Sequence, residues 1–185
     1  MTSALHLGAA YRALRAGGVI AYPTEAVWGL GCDPENAHAV QRLLQIKRRP
    51  EHKGLILIAA NFEQLRPYLG PLPPARLLQV QHSWPGPNTW LLPASPRVPR
   101  WIRGDSPRVA VRVTAHPLAQ ALCYVFGGPL VSTSANRNGG NPARSALQVR
   151  RQLGRELDFI LPGGLGGLAR PTPIRDALTG KLIRP

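Results

Sequence analysis

A short basic segment, Lys47-Arg48-Arg49-Pro50, has the residue types that bind phosphate groups. Arginine offers a planar, two-pronged set of donors, whereas lysine is a compact point charge. Because proline disfavours the helical conformation of the residue before it, we expect a helix to end near this point and the chain to continue extended. Alternate side chains of an extended chain lie on one side, so Lys47 and Arg49 are predicted to point together. Taken alone, such a segment is most often the solvated basic end of a helix.

A second polar segment, Ser132-Thr133-Ser134-Ala135-Asn136, follows much later in the chain. The same alternation predicts that Ser132, Ser134 and Asn136 share one face. Alone, the segment could equally be a strand that leads into a helix cap, since Ser and Asn favour such positions. Cations facing hydroxyl groups and an amide together predict a nucleotide-triphosphate site. In that site the cations would neutralise the phosphates, and Ser134 and Asn136 would hydrogen-bond the phosphates or hold the cations in place.

The acidic residues, histidines and cysteines suggest no other chemistry. The nine acidic residues are scattered without paired carboxylates, and the five histidines form no evident dyad. This pattern argues against a glycosidase-like or triad mechanism and leaves the site without an evident general base. Neither the histidines nor Cys32 and Cys123 have metal-like spacing, so the two cysteines are predicted to be buried or partly buried thiols and no protein metal site is expected.

Length and composition predict one globular domain over residues 1–185. The chain has 185 residues, of which 44% are hydrophobic. No apolar run approaches membrane-spanning length, and the N-terminus lacks the pattern of a signal peptide, so we expect a cytoplasmic protein without a membrane association. The net charge of +14 favours polyanionic partners, either RNA or nucleotide phosphates.

Hydrophobic periodicity predicts alternating helices and strands, and therefore an α/β or α+β fold with a mixed sheet. The helices are expected at Leu5–Arg15, Glu35–Lys47, Phe62–Tyr68, Pro74–His82, His116–Phe126 and Ala146–Leu153. The strands are expected at Val19–Tyr22, Leu55–Ala60, Thr89–Leu92, Val109–Val113, Pro129–Thr133, Phe159–Leu161, Ile174–Ala177 and Lys181–Ile183. In the fourth of these strands the valines occupy one face, and Arg108, Ala110 and Arg112 occupy the other.

Several motifs occur in the order seen in one known family. They are Tyr22-Pro23-Thr24-Glu25-Ala26-Val27-Trp28-Gly29-Leu30-Gly31, Lys47-x-Arg49-Pro50, Trp84-Pro85-Gly86-Pro87-x-Thr89, Ala110-Val111-Arg112-Val113 and Ser132-Thr133-Ser134-Ala135-Asn136. With them the chain resembles the YrdC/TsaC-type threonylcarbamoyl-AMP synthases over nearly its whole length, in their short, single-domain bacterial form. Ile58 stands where many family members carry a His, and Ala26 and Trp28 stand where Thr and Tyr are frequent.

The resemblance implies an open, twisted mixed sheet flanked by helices around a large basic concave cavity. It also implies an enzyme that forms threonylcarbamoyl-AMP and pyrophosphate from L-threonine, bicarbonate and ATP. The product would feed a downstream threonylcarbamoyl-transferase complex that modifies tRNA next to the anticodon. Magnesium would be carried by the ATP phosphates, since no carboxylate cluster is evident that could hold it independently.

The resemblance further assigns roles to individual residues. Lys47, Arg49, Ser134 and Asn136 correspond to the catalytic and ATP-binding positions, and Arg184 corresponds to another position that approaches ATP. Thr24, Arg112, Ser132 and Thr172 correspond to threonine-contacting positions, with Arg112 as the natural partner of a carboxylate. Each of these residues alone could be a turn, cap or surface residue, so the prediction depends on their occurring together.

Two other functions are compatible with the sequence. A noncatalytic RNA-binding or ribosome-maturation factor would use the same positive charge, and its RNA affinity would fall steeply with salt and be spread over many arginines. A carbamoyl-transfer domain like that of hydrogenase-maturation proteins would share this type of fold and carbamoyl-adenylate chemistry, although no acylphosphatase-like or zinc-binding segment accompanies it here.

Overall fold

The computed structural model describes residues 4–185, whose strands form one mixed sheet. Nine strands are found in this range: β1 (Ile20–Pro23), β2 (Trp28–Gly31), β3 (Ile56–Ala59), β4 (Thr89–Pro93), β5 (Arg108–Val113), β6 (Leu130–Ser134), β7 (Phe159–Ile160), β8 (Ile174–Asp176) and β9 (Leu182–Arg184). Their spatial order is β7-β1-β2-β6-β3-β5-β4-β8-β9. The pairs β1–β7, β3–β5 and β4–β8 are parallel, and the other neighbours are antiparallel. The predicted α/β fold with a mixed sheet is confirmed.

One helix precedes the first strand, and the others lie between strands in the chain. They are α1 (Ala4–Arg15), α2 (Ala37–Lys47), α3 (Phe62–Leu65), α4 (Pro74–His82), α5 (Arg100–Arg103), α6 (Pro117–Phe126) and α7 (Ala146–Leu153), with 3₁₀ turns at Glu51–Lys53, Arg66–Tyr68 and Gly154–Glu156. The helix expected at Phe62–Tyr68 is broken into α3 and a 3₁₀ turn, since Pro67 has no backbone N–H to continue the helical hydrogen bonds. None of the helices in residues 4–185 is long and apolar enough to cross a membrane.

Two hydrophobic clusters cover the two faces of the sheet. On one face, residues of α1 and α6 pack against Tyr22, Ile58 and Leu130. On the other face, α2 and α7 pack against Val109, Val111 and other buried strand residues. Cys32 and Cys123 are both buried, as predicted, and burial raises the pKa of each thiol above its ordinary value.

Strand β2 was not predicted. Two of the four residues in its sequence Trp28-Gly29-Leu30-Gly31 are glycines, which are more typical of turns than of strands. Gly31 is needed where it stands: a Cβ there would lie 2.4 Å from the Val131 carbonyl oxygen and 2.7 Å from the Tyr22 ring. The glycine therefore lets β2 pair closely between β1 and β6. This pairing places the loop between β1 and β2, residues 24–27, at one end of the sheet beside β6.

Candidate functional site

A cavity of about 550 Å³ lies on the face of the sheet that carries α1 and α6. Ile56 and Ser132 line the cavity. Ile56 is two residues from Ile58 on β3, and Ser132 is two residues from Leu130 on β6, so each pair shares one face of the sheet. Ile58 and Leu130 pack against α1 and α6. All nine residues predicted from the sequence line this one cavity: Thr24, Lys47, Arg49, Arg112, Ser132, Ser134, Asn136, Thr172 and Arg184. The structure therefore brings together segments that lie far apart in the chain.

Lys47 is a buried cation at the C-terminal end of α2, with 3% of its surface exposed. Its Nζ donates hydrogen bonds to the backbone carbonyls of Ser134, at 2.5 Å, and Asn136, at 2.8 Å. Burial, together with the neighbouring charge of Arg49, lowers the pKa of Lys47 to about 8. Near neutral pH the group is therefore a cation that water solvates poorly, and an anion in the cavity would stabilise it.

The prediction that the chain is extended from Lys47 to Arg49 is wrong. The chain does not become extended after Lys47; Arg48 adopts a left-handed conformation with φ 52° and ψ 44°. The amide of Arg48 bonds to the Gln45 carbonyl, and the amide of Arg49 bonds to the Leu44 carbonyl, at 2.9 Å each. This is a left-handed helix cap. It turns the chain so that Arg49, as well as Lys47, reaches the cavity.

Arg49 is held by carbonyl groups, with no carboxylate against it. Its Nη2 donates to the carbonyls of Gly54, at 2.9 Å, and Lys53, at 3.3 Å. Burial, and then the positive charge of Arg184, lowers the pKa of the Arg49 guanidinium. The 3₁₀ turn after Pro50 therefore fixes Arg49 while leaving its charge uncompensated.

The segment after β6 forms a tight polar loop. Ser134 Oγ donates to Asn136 Oδ1 at 2.5 Å, and Asn136 Nδ2 donates to the carbonyls of Arg137 and Gly140. The amide of Asn138 donates to the Lys47 carbonyl at 2.7 Å. The side chains of Ser134 and Asn136 thus shape the loop, and it is the backbone carbonyls of these two residues that hold the cation.

Arg112 on β5 forms a buried ion pair with Glu25. Arg112 Nη2 lies 3.2 Å from Glu25 Oε2, and each side chain is 7% exposed. Burial alone would raise the Glu25 pKa, but the charge of Arg112 and the hydrogen bond from Thr114 outweigh it and hold the pKa below its ordinary value. Glu25 Oε2 and Arg112 Nε are buried without a hydrogen-bond partner, so the pair keeps one acceptor and one donor unused.

A threonine hydroxyl bonds to each member of this ion pair, Thr172 to Arg112 and Thr114 to Glu25. Thr172 Oγ1 accepts a hydrogen bond from Arg112 Nη1 at 2.9 Å and lies 3.1 Å from Thr89 Oγ1. Thr24 Oγ1 donates to the Val27 carbonyl at 2.7 Å, and Ser132 lies on β6 with 6% of its surface exposed. Thr172 thus contacts the Arg112 guanidinium, and Thr24 and Ser132 line the same cavity.

The hairpin of β8 and β9 also lines the cavity, next to Thr172. Asp176 on β8 pairs with Arg108 of β5, and its carboxylate also accepts the amides of Leu178 and Thr179 in the turn. Arg184 on β9 donates to the Thr172 carbonyl at 3.0 Å. Burial, and then the charge of Arg112, lowers the pKa of the Arg184 guanidinium.

The cavity is strongly cationic. Seven of its lining residues are basic, namely Lys47, Arg49, Lys53, Arg103, Arg108, Arg112 and Arg184, and no Asp or Glu is found among its lining residues in the described chain. Arg108 and Arg112 have a carboxylate behind them, whereas the other five form no ion pair with an Asp or Glu within residues 4–185. Within the same range, no group of three His, Cys, Asp or Glu side chains is placed to hold a metal ion.

Sequence reasoning missed two residues of the site. Glu25 lies inside a motif that was noticed, but nothing in the sequence pairs it with Arg112. Arg103 sits on α5, a four-residue helix too short to produce a periodic pattern.

Comparison with known proteins identifies the family of this chain. The family model Sua5/YciO/YrdC, described as "Telomere recombination", matches residues 12–185. A Halorhodospira halophila protein named threonylcarbamoyl-AMP synthase is 63% identical over 171 residues, covering 92% of this chain and 90% of the relative. A Pseudomonas aeruginosa protein of the same name is 55% identical over the full length of both chains.

Among solved structures, Sua5 of P. abyssi complexed with L-threonine has a TM-score of 0.87 and 34% identity, covering 92% of this chain. The chain spans half the length of that protein, 50%. The match of the family model over residues 12–185, together with the identities to these relatives, shows that the chain belongs to the Sua5/YciO/YrdC family.

Proposed function

We propose that this protein is an L-threonylcarbamoyladenylate synthase, which forms threonylcarbamoyl-AMP and pyrophosphate from L-threonine, bicarbonate and ATP. The observation that supports this proposal best is the convergence of all nine predicted residues on one cationic cavity. Its volume of about 550 Å³ falls within the usual range of small-molecule sites. The name of the relatives at 55–63% identity supports the same activity.

The chemistry fits a site that has cations and no evident general base. The amine of threonine would attack the carbon of bicarbonate to give a carbamate and release water, and an oxygen of the carbamate then attacks the α-phosphorus of ATP. The P–O bond to the leaving pyrophosphate breaks as the new P–O bond forms. Such a step needs alignment of the reactants and neutralisation of phosphate charge, which Lys47, Arg49 and Arg184 would supply.

The amino acid would bind at the other end of the cavity. Arg112 would receive the threonine carboxylate, with Thr24, Ser132 and Thr172 around it. Ser134 and Asn136 would hold the loop whose carbonyls fix Lys47. In this arrangement the carbamate forms between the guanidinium of Arg112 and the phosphate-binding cations.

The remaining partners of the reaction follow from the same proposal. Magnesium would enter with ATP as part of the substrate. The adenylate would pass to a threonylcarbamoyl-transferase complex that modifies tRNA next to the anticodon. We place the reaction in the cytoplasm, where these substrates and tRNA are available.

Pyrophosphate release from ATP by the purified protein tests the proposal. Threonine and bicarbonate are each omitted in turn, the buffers are freed of dissolved CO₂, and serine replaces threonine in a parallel assay. We expect release to require both threonine and bicarbonate, with the adenylate detected by mass spectrometry.

ATP hydrolysis that is indifferent to threonine would contradict the proposal. Salt-sensitive RNA binding without turnover would instead favour the noncatalytic RNA-binding factor. That alternative is disfavoured by the buried position of Lys47 and Arg112, since RNA phosphates are contacted by exposed cations.

A further inference from the structure

Arg103 is a cavity residue to which neither the motifs nor the resemblance assigns a role. It is the last residue of α5 and lines the cavity together with Lys53 and Ser106. Its Nη1 donates to the Ser106 carbonyl at 3.0 Å, while no carboxylate within residues 4–185 pairs with it. Arg100, one turn earlier on the same helix, is instead paired with Asp105 at 2.8 Å and lies outside the cavity lining.

The backbone fixes Arg103 beside the turn that holds Arg49. The amide of Leu55 donates to the Ile102 carbonyl at 2.7 Å, and the amide of Asp105 donates to the His52 carbonyl at 3.3 Å. The two segments approach so closely that a Cβ on Gly54 would lie 2.9 Å from the Arg103 carbonyl oxygen. A Cβ on Gly104 would lie 2.2 Å from the His52 carbonyl oxygen.

Both glycines also have positive φ, 62° at Gly54 and 65° at Gly104, so other residues would be strained there for two reasons. The close fit fixes the position of the C-terminal end of α5 against the 3₁₀ turn Glu51–Lys53. Arg49 Nη2 donates to carbonyls of this same turn. Arg49, Lys53 and Arg103 therefore extend from one rigid junction toward one cavity.

We infer that Arg103, with Lys53 beside it, binds the terminal phosphates of ATP and the pyrophosphate that leaves. These three cations line one cavity and form no ion pair with an Asp or Glu within residues 4–185, so a polyphosphate with several negative charges would neutralise them together. A zwitterionic amino acid or a nucleoside monophosphate carries too little charge to do so. The inference rests on the proposed function for the identity of the substrate, but polyphosphate binding can be measured without turnover.

Isothermal titration calorimetry of the purified protein with ATP, AMP, inorganic pyrophosphate and L-threonine tests this inference. We expect Arg103→Ala to weaken ATP and pyrophosphate binding by about five- to tenfold, since a partly exposed cation is partly screened by solvent. AMP and threonine binding should change by less than about twofold. Arg103→Lys, which keeps the charge, should recover most of the pyrophosphate affinity.

Arg100→Ala is the matched control, because it removes the same side chain from the same helix outside the cavity. It should leave all four affinities unchanged. The inference is overturned if Arg103→Ala binds ATP and pyrophosphate like the wild type, if it weakens AMP equally, or if wild-type protein binds AMP but not pyrophosphate. Selective loss of pyrophosphate binding would support it even if pyrophosphate release proved independent of threonine, which would overturn only the proposed function.

Discussion

Two sets of cations in the same cavity differ in how their charge is balanced. The paired arginines, Arg108 and Arg112, lie on β5 with Asp176 and Glu25 directly behind them. The unpaired cations are Lys47, Arg49, Lys53, Arg103 and Arg184, which form no ion pair with an Asp or Glu in the part of the chain that the structure describes. The paired arginines contribute directed donors with little net charge, whereas the unpaired cations contribute net charge.

This difference matches the two proposed substrates. Threonine is a zwitterion without net charge, so its carboxylate needs a correctly oriented guanidinium more than a strong positive field. ATP is a polyanion whose binding gains from every uncompensated cation. In the proposed mechanism, one cavity would therefore combine geometric recognition on β5 with charge neutralisation at the end of α2 and at α5.

Removing the carboxylate of Glu25 should have the largest effect on stability. Glu25→Ala leaves Arg112 as a buried, uncompensated charge, and loss of one partner of such a pair costs about 3 to 5 kcal/mol in the free energy of unfolding. Glu63→Ala is the matched control, because it breaks an exposed pair with Arg66 and should cost less than about 1 kcal/mol. Urea unfolding of both variants measures the difference. Equal losses would show that the Arg112–Glu25 pair is no more important than a surface ion pair.

Lys47→Ala should have the largest effect on catalysis. A preorganised charge-stabilising group contributes about a hundredfold to the rate, and we expect a loss of that size or more in adenylate formation. Arg49→Ala should act in the same direction and by a similar amount. Pyrophosphate release under saturating threonine and bicarbonate measures both.

Lys181→Ala is the lysine control for this experiment, since Lys181 is exposed and outside the cavity lining. Lys47→Ala also leaves the carbonyls of Ser134 and Asn136 without their donor, so thermal unfolding must show that the variant is folded at the assay temperature. A folded Lys47→Ala protein with near-normal turnover would remove Lys47 from the proposed mechanism.

Alkaline pH should remove the charge of Lys47. The Lys47 pKa of about 8 means that its charge is lost above that pH, so kcat/KM for ATP should fall by up to about tenfold per pH unit. The same titration acts on stability with the opposite sign. The folded protein binds fewer protons than the unfolded chain between pH 8 and the ordinary lysine value of 10.5, so the contribution of Lys47 to stability rises over that window.

Measuring kcat/KM and the free energy of unfolding at each pH separates the two effects. We expect activity to fall while the protein remains folded, and threonine binding to change little across pH 8. A kcat/KM for ATP that is constant from pH 7 to pH 9 would contradict a catalytic charge on Lys47.

The fold was largely predictable because most of its elements have a clear hydrophobic period. The alternation of Val109, Val111 and Val113 with Arg108, Ala110 and Arg112 correctly placed the arginines of β5 on the cavity face. Strand β2 escaped prediction because its glycines serve a tertiary contact with Val131 and Tyr22, which no local pattern records. Helix α5 escaped because four residues are too few to show a period.

The sequence predicted which residues line the site, but it did not predict most of the contacts between them. The end of α2 at Lys47 was predicted from Pro50, yet the left-handed turn at Arg48 is set by hydrogen bonds to two preceding carbonyls. The pairing of Glu25 with Arg112, and of Asp176 with Arg108, depends on contacts between distant segments. Charge compensation, which distinguishes the two sets of cations, is therefore a property of the fold and not of any motif.

The smallest of the expected effects is the difference in salt dependence between ATP binding and threonine binding. Between about 50 and 500 mM KCl the Debye length shrinks from about 14 Å to about 4 Å, which screens an open cluster of cations. We expect the Kd for Mg–ATP to rise several-fold over this range, because five cations that form no ion pair with an Asp or Glu of residues 4–185 line the cavity where ATP is proposed to bind. The Kd for threonine should rise by less than about twofold, since Arg112 is buried and already balanced by Glu25. Calorimetric titrations with each ligand alone provide the measurement. A threonine affinity that falls as steeply as the ATP affinity would show that Arg112 attracts the carboxylate through net charge, and the distinction between paired and unpaired cations would then fail.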